Sequence, residues 1–130
     1  MADDGGERRI HQRFVARLNG EPCFWALIGP ERLPLNDLSL QGLSFPAQSG
    51  FDQGVQFDFT LQRESVPDAV RGHAEVAGLF GGFVGCRILR FESDGAERLH
   101  EWLVTHVIRC ATVRITEKDA SAIVAGHSLV

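Results

Sequence analysis

Four arginines crowd residues 8 to 17: Arg8, Arg9, Arg13 and Arg17, with His11 among them and no acidic residue in the window. A guanidinium is a planar fork of N–H donors that pairs bidentately with a phosphate or with the O6 and N7 edge of guanine, and its plane can stack on a base. Arg9 and Arg13 are four apart, so both side chains leave the same side of an extended or a helical segment and can converge on one ligand. A second window, Asp37-Leu38-Ser39-Leu40-Gln41-Gly42, has the residue types of a turn and carries other hydrogen-bonding groups. Its carboxylate can accept from ring N–H donors, its hydroxyl can serve base or phosphate, and Gly42 allows a positive φ or a close backbone approach. No Ser, His and acid constellation and no carboxylate pair can be assembled elsewhere, so catalysis is not expected. His100 and His106, six apart on one helical pattern, face different ways, and no metal site is expected from the histidines.

The elements that must carry these windows are short strands. Val55, Phe57, Phe59 and Leu61 alternate with polar residues, which predicts a half-buried antiparallel strand over 55–62. Weaker strand patterns cover 14–19, 23–28, 33–38, 42–45, 72–77 and 84–91, separated by turn chemistry such as Asn19-Gly20 and Gly81-Gly82. Within 33–38 the apolar positions change parity, from Leu33 and Leu35 to Leu38 and Leu40, which requires a bulge or kink near Asn36. Asp37 and Ser39 would then share the outer face. A helix should follow from Asp94 to Cys110, with Ser93 or Asp94 as N-cap and Glu97 placed for a capping box. Leu99, Trp102, Leu103, Val107 and Cys110 form its apolar stripe. Thr116 would cap a second short helix through Ala125, buried at Ala120, Ile123 and Val124 and ended by Gly126.

With 130 residues and 44% hydrophobic content, one domain with a compact core is expected. A net charge of -4 argues against a nucleic-acid binder, which needs a broad basic surface. Cys23, Cys86 and Cys110 are odd in number and have no C-x-x-C pair, which suits a reducing compartment and buried thiols. No apolar run reaches the length of a membrane span, and the start Met1-Ala-Asp-Asp lacks the features of a signal peptide, so a cytoplasmic protein without membrane insertion is expected. Trp25 and Trp102 read as core anchors.

Taken together, Arg9-x-x-x-Arg13 and Asp37-x-Ser39-x-x-Gly42, in this order and about one hairpin apart, resemble the two-part signature of the PilZ domain family. The resemblance implies a small antiparallel six-stranded β-barrel with a C-terminal α-helix. It would divide the chain into a mobile arm over 1–13, barrel and helix over 14–110, and an extension over 111–130. The implied activity is binding of cyclic di-GMP, without turnover and without a cofactor, through Arg8, Arg9, Arg13, Asp37, Ser39 and Gly42. Arginine at the position of Arg8 implies an intercalated pair, two ligand molecules per chain. Glu75, Val76 and Ala77 stand where some relatives place a stacking aromatic, which leaves stacking to arginine. An unidentified protein partner would receive the signal. The competing expectation is an adaptor that keeps the fold but has lost the ligand.

Overall fold

The computed structural model describes residues 13–111 and 114–126. Its fold is mainly β, as expected: one curled antiparallel sheet carries two helices. In chain order the strands are β1 (Phe14–Val15), β2 (Arg17–Leu18), β3 (Glu21–Pro22), β4 (Phe24–Ile28), β5 (Glu31–Pro34), β6 (Asp37–Leu38), β7 (Gly42–Pro46), β8 (Gln56–Arg63), β9 (Val66–Phe80) and β10 (Phe83–Phe91). The helices are α1 (Gly95–Cys110) and α2 (Glu117–Val124). Eight strands form the main sheet in the order β1-β6-β7-β10-β9-β8-β4-β5, and β2 pairs with β3 as a separate hairpin.

The expected count of six strands is therefore corrected to eight, and the difference has a local cause. The expected single strand over 33–38 splits between β5 and β6 because its two halves pair on opposite sides. β5 pairs with β4, and β6 pairs with β7, so consecutive strands of the chain stand near opposite ends of the sheet order. The backbone hydrogen bonds change hands at the predicted place: Leu35 N–H donates to Phe24 O at 3.0 Å, and Asn36 N–H to Ser44 O at 2.7 Å. Leu33, Leu35 and Leu38 are all buried, which satisfies the parity change that the sequence demanded. The expected strand over 14–19 is likewise broken, at buried Ala16, into β1 and β2. β9 is longer than its apolar pattern suggested, running through Gly72, where an added Cβ would meet Arg90 O at 2.5 Å and the Phe59 ring at 2.6 Å. The close ring contact at Gly72 is what lets Phe59 pack inward.

The buried faces of sheet and helices form one continuous core. Phe24 stacks on Trp102 with ring centroids 6.3 Å apart, and Leu99, Leu103 and Val107 complete the buried stripe of α1. Arg98 pins the helix to the sheet by donating to Ala69 O at 3.1 Å. Asp94 is the N-cap, but its side chain makes no cap hydrogen bond; it holds Arg98 at 3.1 Å, one turn on, so the expected capping box does not form. In α2 a capping box does form, between Thr116 and Asp119, and Ala120 and Val124 enter the same core. Gly126 follows with φ 91°, the left-handed residue expected past a helix end. Among the described residues no helix is long and apolar enough to cross a membrane.

Cys23 and Cys86 are buried, whereas Cys110, expected on the apolar stripe, is exposed. Burial raises the Cys23 thiol pKa and pushes that of Cys86 up to about 12. Iodoacetamide near neutral pH should therefore label Cys110 in the folded protein, and Cys23 and Cys86 only after denaturation. Mass spectrometry of the labelled peptides checks this, and rapid native labelling of Cys86 would contradict the buried placement.

Candidate ligand-binding site

The register of two very short strands brings the two sequence windows together. β1 pairs with β6 so that Phe14 faces Leu38 and Val15 faces Asp37, which sets Arg13 beside the start of the turn that follows β6. Arg13 Nη1 lies 3.3 Å from Asp37 Oδ1, with about a quarter of each side chain exposed (24% and 23%). That is looser than a well-formed charge-assisted bond of about 2.8 Å. Such a partly exposed pair contributes about 0–1 kcal/mol, so a phosphate could replace the carboxylate at small cost. The other oxygen, Asp37 Oδ2, accepts a long 3.5 Å contact from Asn36 Nδ2, which also donates to Ser44 Oγ at 3.3 Å. Asn36 and Ser44 thus orient the carboxylate, a layer that sequence spacing could not show.

Ser39 is placed differently from the expectation that it shares an outer face with Asp37. It is 2% exposed, and its Oγ accepts from the N–H groups of Gln41 and Gly42, both at 3.1 Å. Its own N–H donates to Gly42 O at 2.8 Å. The hydroxyl closes the turn from β6 to β7, the usual local role of serine in such a loop. Leu40 is half-buried against the core, as its parity required.

Gly42 meets the expectation of a close approach, not of a positive φ. A Cβ there would lie 2.7 Å from Cys86 O and 3.2 Å from Arg13 Nη2, so the guanidinium rests over bare backbone. Gly42 sits directly opposite Arg87 on β10, so Arg87 leaves the sheet on the face over which Arg13 lies. Arg87 Nη2 is 2.6 Å from Glu75 Oε1 on β9. The sequence missed Arg87, because only the β7–β10 register reveals it. At the position where a stacking aromatic was sought, Glu75 forms this ion pair and Val76 is buried in the core. Arg8 and Arg9, with His11, lie outside the described residues.

A separate cluster surrounds His106. Its Nε2 donates to Val15 O at 2.8 Å, which fixes the proton on that nitrogen and leaves Nδ1 facing the Cys23 thiol at 3.9 Å. Burial lowers the His106 pKa; the bond to Val15 O opposes this, and the charges of Arg109 and Arg63 reinforce it. With the folded pKa below the unfolded value, the unfolded chain binds the extra proton first. Stability from this group is therefore complete above the unfolded pKa, about 6.5, and is lost as pH falls from there towards the folded pKa. The urea midpoint should be lower at pH 5.5 than at pH 7.5, and His106→Gln should flatten that difference.

This arrangement defines a class by architecture: a curled antiparallel β-sheet covered by a C-terminal helix, with an arginine and a carboxylate paired where the first strand enters. Among solved structures it is similar to the Bacillus subtilis inhibitor of motility, MotI/DgrA, with TM-score 0.64 and 14% identity over 80% of this chain. An uncharacterized Legionella protein is also similar, with TM-score 0.54 and 17% identity, covering 76% of this chain and 95% of its own. This chain spans only 53% of MotI/DgrA, and at such identities the likeness is one of fold. No protein-family model matches the sequence, and no curated protein matches it.

Proposed function

We propose that this chain is a cyclic di-GMP receptor of bacterial second-messenger signalling, acting in the cytoplasm by changing shape or partner choice when the ligand binds. The observation that carries the reading is the β1–β6 register, which sets Arg13 against Asp37 and over Gly42, joining two windows whose residue types suit phosphate and guanine. Arg13 and Asp37 would exchange each other for ligand, the guanidinium taking phosphate and the carboxylate taking guanine N1–H and N2–H. Arg8 and Arg9 would supply further guanidiniums for phosphate and base. Ser39 would act through the turn it holds. The PilZ-like signature and a fold shared with a motility inhibitor point the same way.

The experiment is calorimetric titration with cyclic di-GMP and, separately, GTP. Binding is expected with a Kd between nanomolar and micromolar, about -8 to -12 kcal/mol. Two ligands per chain are expected, because a stacked pair concentrates four phosphate charges and Arg8 adds the guanidinium that offsets their repulsion. Arg8→Ala should favour one ligand. A wild-type stoichiometry of one would remove the stacked pair and leave the receptor.

A second reading, an adaptor that binds protein and no longer binds ligand, is favoured by one specific observation. Ser39 and Asp37 are already satisfied by the chain itself, the hydroxyl by the turn and the carboxylate by Arg13 and Asn36. Absence of any heat with cyclic di-GMP at tens of micromolar, on the order of the weak end of the expected range, would put this reading first.

A further inference from the structure

At the opposite end of α1 from its N-cap, a cavity of about 420 Å³ is lined by Leu18, Pro22, Trp25, Arg63, His106 and Arg109 among others. It shares no residue with the Arg13 and Asp37 site. Leu18, Pro22, Phe24 and Trp25 are the apolar residues of its lining, and Arg63 at the end of β8 and Arg109 in the last turn of α1 are the cationic ones.

Three nitrogen bases converge here for reasons that can be followed residue by residue. Arg63 ends β8 directly opposite Phe24, so its side chain leaves the sheet on the face that Phe24 buries. His106 packs edge-on against that same Phe24, with centroids 5.2 Å apart. Arg109 follows His106 by three positions on α1, which puts both on one helical face. The helix end alone accounts for Arg109, since a cation there is favoured by the helix dipole. It does not account for Arg63.

Among the described residues Arg63 has no carboxylate within 4 Å. The ion pairs among the described residues are Arg13–Asp37, His73–Asp58, Arg87–Glu75 and Arg98–Asp94; Arg63 and Arg109 belong to none of them. Glu21 and Glu64 also line the cavity, yet neither comes within 4 Å of a guanidinium. The proton affinity of Arg63 is lowered by burial first and by the charge of Arg109 second, with the Cys23 thiol opposing both. The half-buried Arg63 and the exposed Arg109 line the same cavity, and their like charges repel unless something negative sits between them.

We propose that this cavity binds a small phosphate monoester with a flat apolar body, the phosphate bridging Arg63 and Arg109 and the body lying against Trp25 and Pro22. A volume of about 420 Å³ suits a ligand of that size, and two forks suit a dianionic group. One face of Trp25 already carries the Arg32 guanidinium at 4.3 Å, so the ligand takes the remaining surface.

The test uses the full chain with phenyl phosphate, inorganic phosphate and, as the neutral control, benzyl alcohol, read by the indole N–H signals of Trp25 and Trp102 in NMR titration. Phenyl phosphate should shift Trp25, bind more tightly than inorganic phosphate, and leave benzyl alcohol without effect at the same concentration. Arg63→Gln and Arg109→Gln should each weaken phenyl phosphate roughly tenfold or more, the usual loss of one charge-assisted contact. Arg63→Lys, which keeps charge but not the fork, should fall between, and thermal unfolding of each variant establishes that it folds. Arg13→Ala should leave this binding unchanged. Equal binding of phenyl phosphate by wild type and Arg63→Gln, loss of it in Arg13→Ala, or no saturable shift of Trp25 would each overturn the proposal.

Discussion

Trp102→Ala should destabilise the protein by about 3–5 kcal/mol, the range for removing a buried aromatic from a close-packed core. Trp102 is 3% exposed and stacks on Phe24, so it is the largest side chain that α1 lays on the sheet. Its loss leaves a cavity bordered by the one ring that also contacts His106. Since a domain of this size is held by only about 5–15 kcal/mol, the loss should be a large fraction of the total stability. Urea denaturation followed by circular dichroism measures the effect. Trp25→Ala is the comparison, because Trp25 is half-buried and faces Arg32; it should cost much less. Equal costs for the two would mean that α1 is not seated as described.

Cyclic di-GMP binding should fall by two orders of magnitude or more in Arg13→Ala, equivalent to about 2.7 kcal/mol or above, while the fold survives. The binding loss follows from the proposed exchange of the Asp37 carboxylate for a phosphate, which removes a bidentate contact with an anion. Survival of the fold follows from the looseness of the existing pair, 3.3 Å and partly exposed, which contributes little to stability. The two readouts must therefore separate: calorimetry should change and the urea midpoint should stay within about 1 kcal/mol. Arg13→Lys should recover only part of the affinity, since lysine lacks the planar fork. If Arg13→Ala binds as tightly as wild type, the ligand does not sit where the two windows meet.

How far the fold could be read from the sequence depended on whether a residue's partner was local. The alternation of Phe57, Phe59 and Leu61 gave β8 almost to its ends, and the parity change between Leu35 and Leu38 located the switch at Asn36. Thr116 and Gly126 marked α2 because capping chemistry is contained in a few residues. The strand count could not be read the same way, since splitting 33–38 between two strands depends on β4 and β7 lying on opposite sides of it. For the site, only the family resemblance linked Arg13 with Asp37; their spacing in the chain did not, and the 3.3 Å approach of the two side chains comes from the β1–β6 register. The burial of Ser39 was not anticipated, because a serine that closes its own turn and one that offers its hydroxyl to a ligand look alike in sequence. Arg87 and His106 were passed over for a related reason: their partners, Gly42 across a ladder and Val15 on β1, are remote in the chain.

The segment that changes partners at Asn36 also has a kinetic meaning. β4–β5 and β6–β7 are local hairpins that share it, and β8, β9 and β10 form a second meander of adjacent strands, so each half can assemble early from short loop closures. What joins the halves are two ladders between strands distant in sequence, Phe24 with Arg63 on one side and Gly42 with Arg87 on the other. Because both depend on the same bent segment, forming one ladder brings the other within reach, so the two halves are expected to close cooperatively, and a single-exponential refolding phase would be its signature.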